Sequence, residues 1–237
     1  LTSTNGMSSI STLTYDNNNN LLTAQAPNGA GSGGATGRTS TLGYPTPSGA
    51  GPYPLSVYQP TSSQDANGNQ TTYAYSTNGN LLTSTNSASG DTFTNEYEGD
   101  PGVTSCGGRT GQLCRAIDAR GIATVYGYDA AGNNTTVTHP APLGATTRTF
   151  DGEGRVLTVT DGRGNVTKYF YGNNDRITQL RWDGGTSTTC GYTDALAAKC
   201  VGYTYDSHGN LKARIDVSGN TGAWTYDALN RMKSYAN

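Results

Sequence analysis

"TTYAYSTNGNLLTSTN", residues 71–86, carries the pattern from which the fold is read. An alternating run ends in tyrosine, a polar five-residue corner follows, and a second alternating run returns. The same order recurs in "ATVYGYDAAGNNTTVT" from Ala123, "VTKYFYGNNDRITQL" from Val166 and "GYTYDSHGNLKARI" from Gly202. Aligning the corners gives DNNNN at 16–20, DANGN at 65–69, STNGN at 76–80, DARGI at 118–122, DAAGN at 129–133 and DGEGR at 151–155. DGRGN at 161–165, GNNDR at 172–176, DSHGN at 206–210, DVSGN at 216–220 and DALNR at 227–231 complete the set.

The fourth corner position decides the local geometry. It holds Gly68, Gly79, Gly121, Gly132, Gly154, Gly164, Gly209 or Gly219, and otherwise Asn19, Asp175 or Asn230. Those three residue types best tolerate a left-handed backbone. The first position is mostly Asp, whose carboxylate can cap the amides of the turn that follows. Together they spell a type I turn closed by a left-handed residue and a bulge, a common short hairpin connection.

Where the repeat runs cleanly, fourth positions lie ten or eleven residues apart, as from Gly68 to Gly79 or Gly209 to Gly219. That spacing leaves about six residues per strand. Corners of two kinds alternate. One kind follows an aromatic residue: Tyr15, Tyr75, Tyr128, Phe150, Tyr171, Tyr205 or Tyr226. The other follows the returning strand, so the unit is a hairpin of roughly twenty residues. Period-two alternation sets Tyr73, Tyr126, Tyr169 and Tyr203 on the same face as the aromatic two residues on, where neighbouring hairpins are expected to stack them into ladders. The fold class is therefore all-β: repetitive antiparallel hairpins in one continuous sheet, residues 1–237 forming a single strip.

Composition fits this chain only once the repeat is seen. Leu, Ile, Val and Phe fall below the roughly one fifth that usually marks disorder. Yet charged residues are only 14% and the formal net charge is −2, unlike a disordered polymer. Sixteen tyrosines supply apolar area that the aliphatics do not. Near-neutral charge without basic clusters argues against nucleic acid or an anionic membrane as partner. No apolar run approaches the length of a membrane span. The chain has neither an initiating Met nor a basic, apolar leader, and is expected to be processed or part of something longer.

The repeats "YDAAGN", "YDSHGN" and "DANGNQTTYAY" resemble the YD repeats of the Rhs and teneurin-like family, and the resemblance covers nearly the whole chain. It implies a β-sheet strip spiralling into a hollow shell. In bacterial Rhs proteins and the C subunits of Tc toxins such a shell encloses a toxic C-terminal domain; in teneurins it belongs to a cell-surface adhesion receptor. The expected role is a structural segment of a secreted or cell-surface bacterial shell, with the remainder of a larger YD-repeat polypeptide, an enclosed C-terminal toxin, or self-association through strand edges as its partners. The alternative is an adhesin or extracellular fibre module built from the same repeats.

Three insertions stretch the unit, at about 24–52, 98–114 and 182–200. The first is Gly/Pro/Ser-rich around one expected strand, "TSTLGY", with the repeat resuming at "YPLSVYQPTSSQDANGN". The other two are read as replacing aromatic-side corners, hence protruding from one rim, and "DALAAK" in the third as one helical turn. All four cysteines lie in these two, and local pairing, Cys106 with Cys114 and Cys190 with Cys200, is what loop geometry favours among three connectivities. Zinc fits poorly, since neither pair has ligand spacing and neither His139 nor His208 lies beside them. Disulfides point to an oxidising, extracytoplasmic setting.

Catalytic and cofactor signatures are missing from the sequence. "DANGN" opens like a calcium loop but lacks the later glycine and glutamate. His208 sits in a corner and His139 in "THPAP", while Asp151 and Glu153 share one turn and are read as caps. The sequence "DPGV" at Asp100 is only superficially similar to the D-P-x-G motif at which Rhs shells release their toxin, and is read as a turn. No enzyme activity, cofactor or metal is expected, and neither a self-cleaving end nor a toxin domain in this chain.

Overall fold

The computed structural model describes residues 2–4, 10–26, 39–45, 55–182, 190 and 200–237. Among them every regular element is a strand except a 3-10 turn at Leu55–Tyr58. The chain divides after Thr124 into two compact units. The first holds β1 (Thr2–Thr4), β2 (Ile10–Tyr15), β3 (Leu21–Gln25), β4 (Thr39–Gly43), β5 (Ser62–Gln64), β6 (Gln70–Tyr75), β7 (Leu81–Asn86), β8 (Thr92–Tyr97) and β9 (Leu113–Ile117). The second holds most of β10 (Ala123–Tyr128), then β11 (Asn134–Thr138), β12 (Ala145–Phe150), β13 (Val156–Thr160), β14 (Val166–Tyr171) and β15 (Ile177–Trp182). It continues with β16 (Cys200–Tyr205), β17 (Leu211–Ile215), β18 (Thr221–Tyr226) and β19 (Met232–Ala236).

Within each unit every strand is antiparallel to its predecessor and hydrogen-bonded to it. Substantial contact is confined to strands adjacent in sequence. Burial tells the same story. Among the described residues only Val57, Cys114, Cys200 and Val201 are buried apolar side chains, and two of those are half-cystines. A two-sheet sandwich would bury alternate residues of every strand between its layers. Here most strand residues are half-buried on both faces, as in β7 and β11. Each unit is a single-layer meander whose packing lies between neighbouring hairpins.

The five-residue corners share one hydrogen-bond scheme. At 129–133 the amide of Asp129 donates to the Asn133 carbonyl (3.0 Å) and the amide of Gly132 to the Asp129 carbonyl (2.9 Å). The left-handed fourth residue makes both bonds geometrically possible, and Asn19, Asp175 and Asn230 have φ of 64°, 56° and 59° there. The longer segment 98–112 obeys the same scheme: Glu98 N donates to Gln112 O and Gly111 N to Glu98 O, both at 2.8 Å. Its extra residues are inserted inside a corner whose closure is unchanged.

The two kinds of corner differ by one residue. Beside the aromatic the register slips: Ala74 faces Thr83 but Tyr75 faces Leu81, leaving Leu82 as a bulge. The same slip precedes Tyr15, Tyr97, Tyr128, Phe150, Tyr171, Tyr205 and Tyr226. At the opposite strand ends pairing runs straight into the corner, as at Thr160↔Val166 and Ile215↔Thr221.

Two expectations about the insertions need correction. The third follows β15, a returning strand, so it replaces a corner of the non-aromatic kind, whereas the second follows Tyr97 and is aromatic-side. The alternation of corner types is hidden because two intervening corners, 86–91 and 139–144, lack the five-residue spelling; Gly90 and Gly144 supply their left-handed residues. The first insertion ends later than 52. "LSVY" forms the 3-10 turn, and strand pairing resumes at Ser62. Val57 of that turn is buried, and its carbonyl accepts a bond from Asn20 Nδ2 at 2.9 Å, tying the turn to the first corner. Residues 27–38 and 46–54, and the "DALAAK" segment, lie outside the described residues.

Candidate functional site

The feature that repeats along the chain with the most specific chemistry is the row of aromatic-side corners. In corners of either kind that open on Asp, that residue binds the turn with both oxygens. Asp206 Oδ1 accepts from the amides of His208 (2.9 Å) and Asn210 (2.8 Å), and Oδ2 from Asn210 Nδ2 (3.0 Å). Asp65, Asp129, Asp161 and Asp216 are held in the same way. The side-chain amide four residues on, joined by backbone amides, holds all five of these carboxyls below the usual carboxylate range. In DGEGR and DALNR an arginine replaces the asparagine: Arg155 Nε and Arg231 Nε each donate to their own corner's Asp at 2.7 Å.

The tyrosines join one hairpin to the next. Because of the bulge, pairing of β13 with β14 stops at Thr158↔Lys168, short of the first residue of β13. The Tyr171 hydroxyl then donates to the carbonyl of that residue, Val156, at 2.9 Å. Tyr205 does the same to Ile177 (2.8 Å) and Tyr226 to Leu211 (3.0 Å). Tyr75 reaches Pro60 O at 3.0 Å. Each hydroxyl supplies a donor where the ladder has stopped supplying one. Burial raises the Tyr75, Tyr171 and Tyr205 hydroxyls above their ordinary value. The link between hairpins is thus hydroxyl to carbonyl rather than the ring-on-ring ladder read from the sequence. A ring pair is formed by Trp224 and Tyr235, centroids 5.0 Å apart. The inner tyrosine can also bond across strands, as Tyr73 does with Ser63 Oγ at 2.8 Å.

A second link runs corner to corner. The fifth residue of one aromatic-side corner faces the fourth residue of the next. Arg155 Nη1 donates to Asp175 Oδ1, and Asn210 Nδ2 to Asn230 Oδ1 at 2.9 Å. Where the fourth residue is glycine, the facing side chain occupies the space: Asn133 Oδ1 lies 3.5 Å, and an Arg176 nitrogen 2.5 Å, from where a Cβ on Gly154 or Gly209 would stand. The arginines also lie over the next tyrosine ring, Arg155 on Tyr171 at 4.7 Å and Arg176 on Tyr205 at 5.3 Å. The fifth position is Asn or Arg in every five-residue corner but one, which has Ile122, and that restriction is the trace these contacts leave in the sequence.

His208 and His139 are exposed. Asp151 accepts from the amides of Glu153 and Arg155, so it caps its turn. Asp100 is buried, its amide bonded to Tyr97 O and its carbonyl to the Val103 amide, so "DPGV" is a turn. Cys106 is joined to Cys114 and Cys190 to Cys200. Glu98 gathers the first bridge, its carboxylate accepting from the Cys106 amide (2.7 Å) and Ser105 Oγ (3.0 Å). Glu98, Cys106 and Cys114 stand close enough for a metal, but both sulfurs are committed to the disulfide.

The family model described as Teneurin YD-shell matches residues 58–181, and that described as RHS Repeat matches residues 205–237. No curated protein matches. Among solved structures, a chain of the Photorhabdus luminescens Tc holotoxin pore, with a mutated TccC3, is similar at TM-score 0.53 and 15% identity. The alignment covers 96% of this chain and 12% of that one. A crystal structure of TcdB2-TccC3-Cdc42 aligns at TM-score 0.43 and 13% identity, over 96% of this chain and 15% of its own.

Proposed function

Because the chain belongs to the teneurin YD-shell family, we propose that it is a stretch of wall in a secreted bacterial YD-repeat shell that encloses or presents a toxin or effector domain. The family is of a structural, repeat type, and the role is mechanical rather than catalytic. The observation that carries this is the single-layer meander: strands touch sequence neighbours, and four apolar side chains are buried among the described residues. Such a sheet stabilises itself along its length, hairpin on hairpin, while both faces remain available to other parts of a larger polypeptide. The two disulfides fit an oxidising location outside the cytoplasm.

Limited proteolysis of the parent polypeptide tests the proposal. A C-terminal segment should resist protease while the wall is intact and become sensitive once the wall is unfolded. Equal sensitivity in both states would refute enclosure. Binding of the intact polypeptide to cell surfaces, with no protected segment, would favour the adhesin role instead.

A further inference from the structure

The disulfide of the second insertion has a carboxylate beside it. Among the described residues, the ligand atoms of Glu98, Cys106 and Cys114 all lie within 4.8 Å of one another. Eight positions separate the two cysteines, more than the short spacing usual for zinc ligands. The fold removes that objection, because the inserted loop returns on itself and brings their Cα atoms to 5.5 Å. The sheet places the carboxylate. Glu98 N donates to Gln112 O and Gly111 N to Glu98 O, both at 2.8 Å, and Tyr97 pairs with Leu113. Glu98 and Cys114 are thus held side by side through backbone bonds that do not depend on the bridge. The Glu98 carboxylate accepts from the Cys106 amide at 2.7 Å and from Ser105 Oγ at 3.0 Å, which hold it below the usual carboxylate range. Cys114, 2% exposed, has its sulfur 3.8 Å from Glu98 Oε2.

We propose that in the reduced chain Cys106, Cys114 and Glu98 form a binding site for one divalent cation of the zinc class. A thiol or phosphine reductant supplies the two electrons that open the S–S bond, and each sulfur takes a proton. The cation displaces both protons as it binds. Tetrahedral zinc, with Zn–S of about 2.3 Å and Zn–O of about 2.1 Å, sets its ligands about 3.6–3.8 Å apart. Cys114 Sγ and Glu98 Oε2 already stand at 3.8 Å, so the change needed is for the two sulfurs to part. Rotation of the cysteine side chains achieves that without moving the backbone. Ser105 and the Cys106 amide then orient the carboxylate as a ligand, and a fourth position is left for water. Two thiolates select zinc over calcium or magnesium, which take oxygen ligands. The cation closes the same loop as the disulfide, so segment 98–114 keeps its corner in either redox state. Among the described residues no carboxylate joins the second pair, where Gln179 Nε2 donates to Cys190 Sγ at 2.9 Å.

The test uses the full chain, reduced with a phosphine in the absence of oxygen. The alkylation rate of each thiol is read by mass spectrometry with and without one equivalent of zinc. Zinc should slow modification of Cys106 and Cys114 by about tenfold or more, as for thiolates committed to a metal, and leave Cys190 and Cys200 unchanged. Calcium should protect none of the four. Glu98→Gln should raise the zinc concentration that gives half protection by about tenfold or more. Equal slowing of all four thiols, or none at Cys106 and Cys114, would overturn the site. Protection by calcium would overturn thiolate ligation, and protection unchanged in Glu98→Gln would overturn the carboxylate's place in the ligand set. The site is independent of the wall role, and neither outcome bears on the other.

Discussion

Replacing Tyr171 by Phe removes one oxygen and leaves the ring, which isolates the hydroxyl's part in joining hairpins. The hydroxyl donates to Val156 O at 2.9 Å, where registered pairing of β13 with β14 has already ended. Both residues are half-buried, so water can replace the lost donor only in part. A net intramolecular hydrogen bond contributes about 0.5–1.5 kcal/mol, and partial access to water puts Tyr171→Phe near the middle, at about 1 kcal/mol. For a chain of this length that is a fall of about 2–4 °C in melting temperature. Tyr205→Phe and Tyr226→Phe should cost similar amounts, since their hydroxyls make the same bond. Tyr169→Phe is the control, because its ring faces the same way but its hydroxyl makes no hydrogen bond among the described residues. Phe150 already occupies the aromatic position without a hydroxyl, so Phe150→Tyr should be neutral or stabilising by up to about 1 kcal/mol. Denaturant titration of the set gives the differences directly. Equal losses for Tyr169→Phe and Tyr171→Phe, or no loss in any of the three linking tyrosines, would refute the hydroxyl's role.

The corner carboxyls predict the response to acid. Asp65, Asp129, Asp161, Asp206 and Asp216 titrate below the ordinary aspartate value, so their contribution is complete above that value and is lost as pH falls through the lowered ones. Melting temperature should therefore show no loss from these groups between pH 7 and about 5 and should drop below about pH 4; a loss already complete at pH 5 would contradict the capping role. Gly164 has φ of 86° with open space around its Cβ position, while Gly152 has equal space and no positive φ. Gly164→Ala should cost about 1–2 kcal/mol and Gly152→Ala less than about 0.5, measured by urea unfolding; equal costs would show that the left-handed backbone is not what selects glycine. Reduction of Cys106–Cys114, which closes a loop of eight residues, should destabilise by about 2–3 kcal/mol, and non-reducing peptide mapping should recover it and Cys190–Cys200 as separate linked pairs.

Most of the fold was legible because its information is local. A left-handed fourth residue is demanded by hydrogen bonds within five residues, so Gly, Asn and Asp show through the sequence wherever that corner occurs. At Gly90 and Gly111 extra residues inside the turn break the five-residue spelling while the closing pair of backbone bonds is kept, and at 139–144 the closure itself differs, His139 N donating to the carbonyl of the left-handed Gly144. The corner spelling carries the bulge within the turn but not the further one on the returning strand opposite each aromatic. It has no fixed residue type, falling on Leu82, Leu157, Thr178 and Lys212 alike. That omission hid the tyrosine's purpose: without a ladder that stops short there is no carbonyl for its hydroxyl, and stacking was the remaining reason for an aromatic on one face. The corner-to-corner contacts join residues about twenty apart, as Arg155 with Asp175 and Asn210 with Asn230. A single sequence shows those residues but not that they face each other.

A cryo-EM map of the parent polypeptide at side-chain resolution would show the wall and its links between hairpins at once. Residues 58–181 and 205–237 should lie in single-layer wall, with the Tyr171, Tyr205 and Tyr226 hydroxyls on the carbonyls of the preceding hairpins and density for a further segment on one face of that wall. A two-layer sandwich with these strands packed face to face, or a wall whose tyrosine hydroxyls point to solvent, would contradict it.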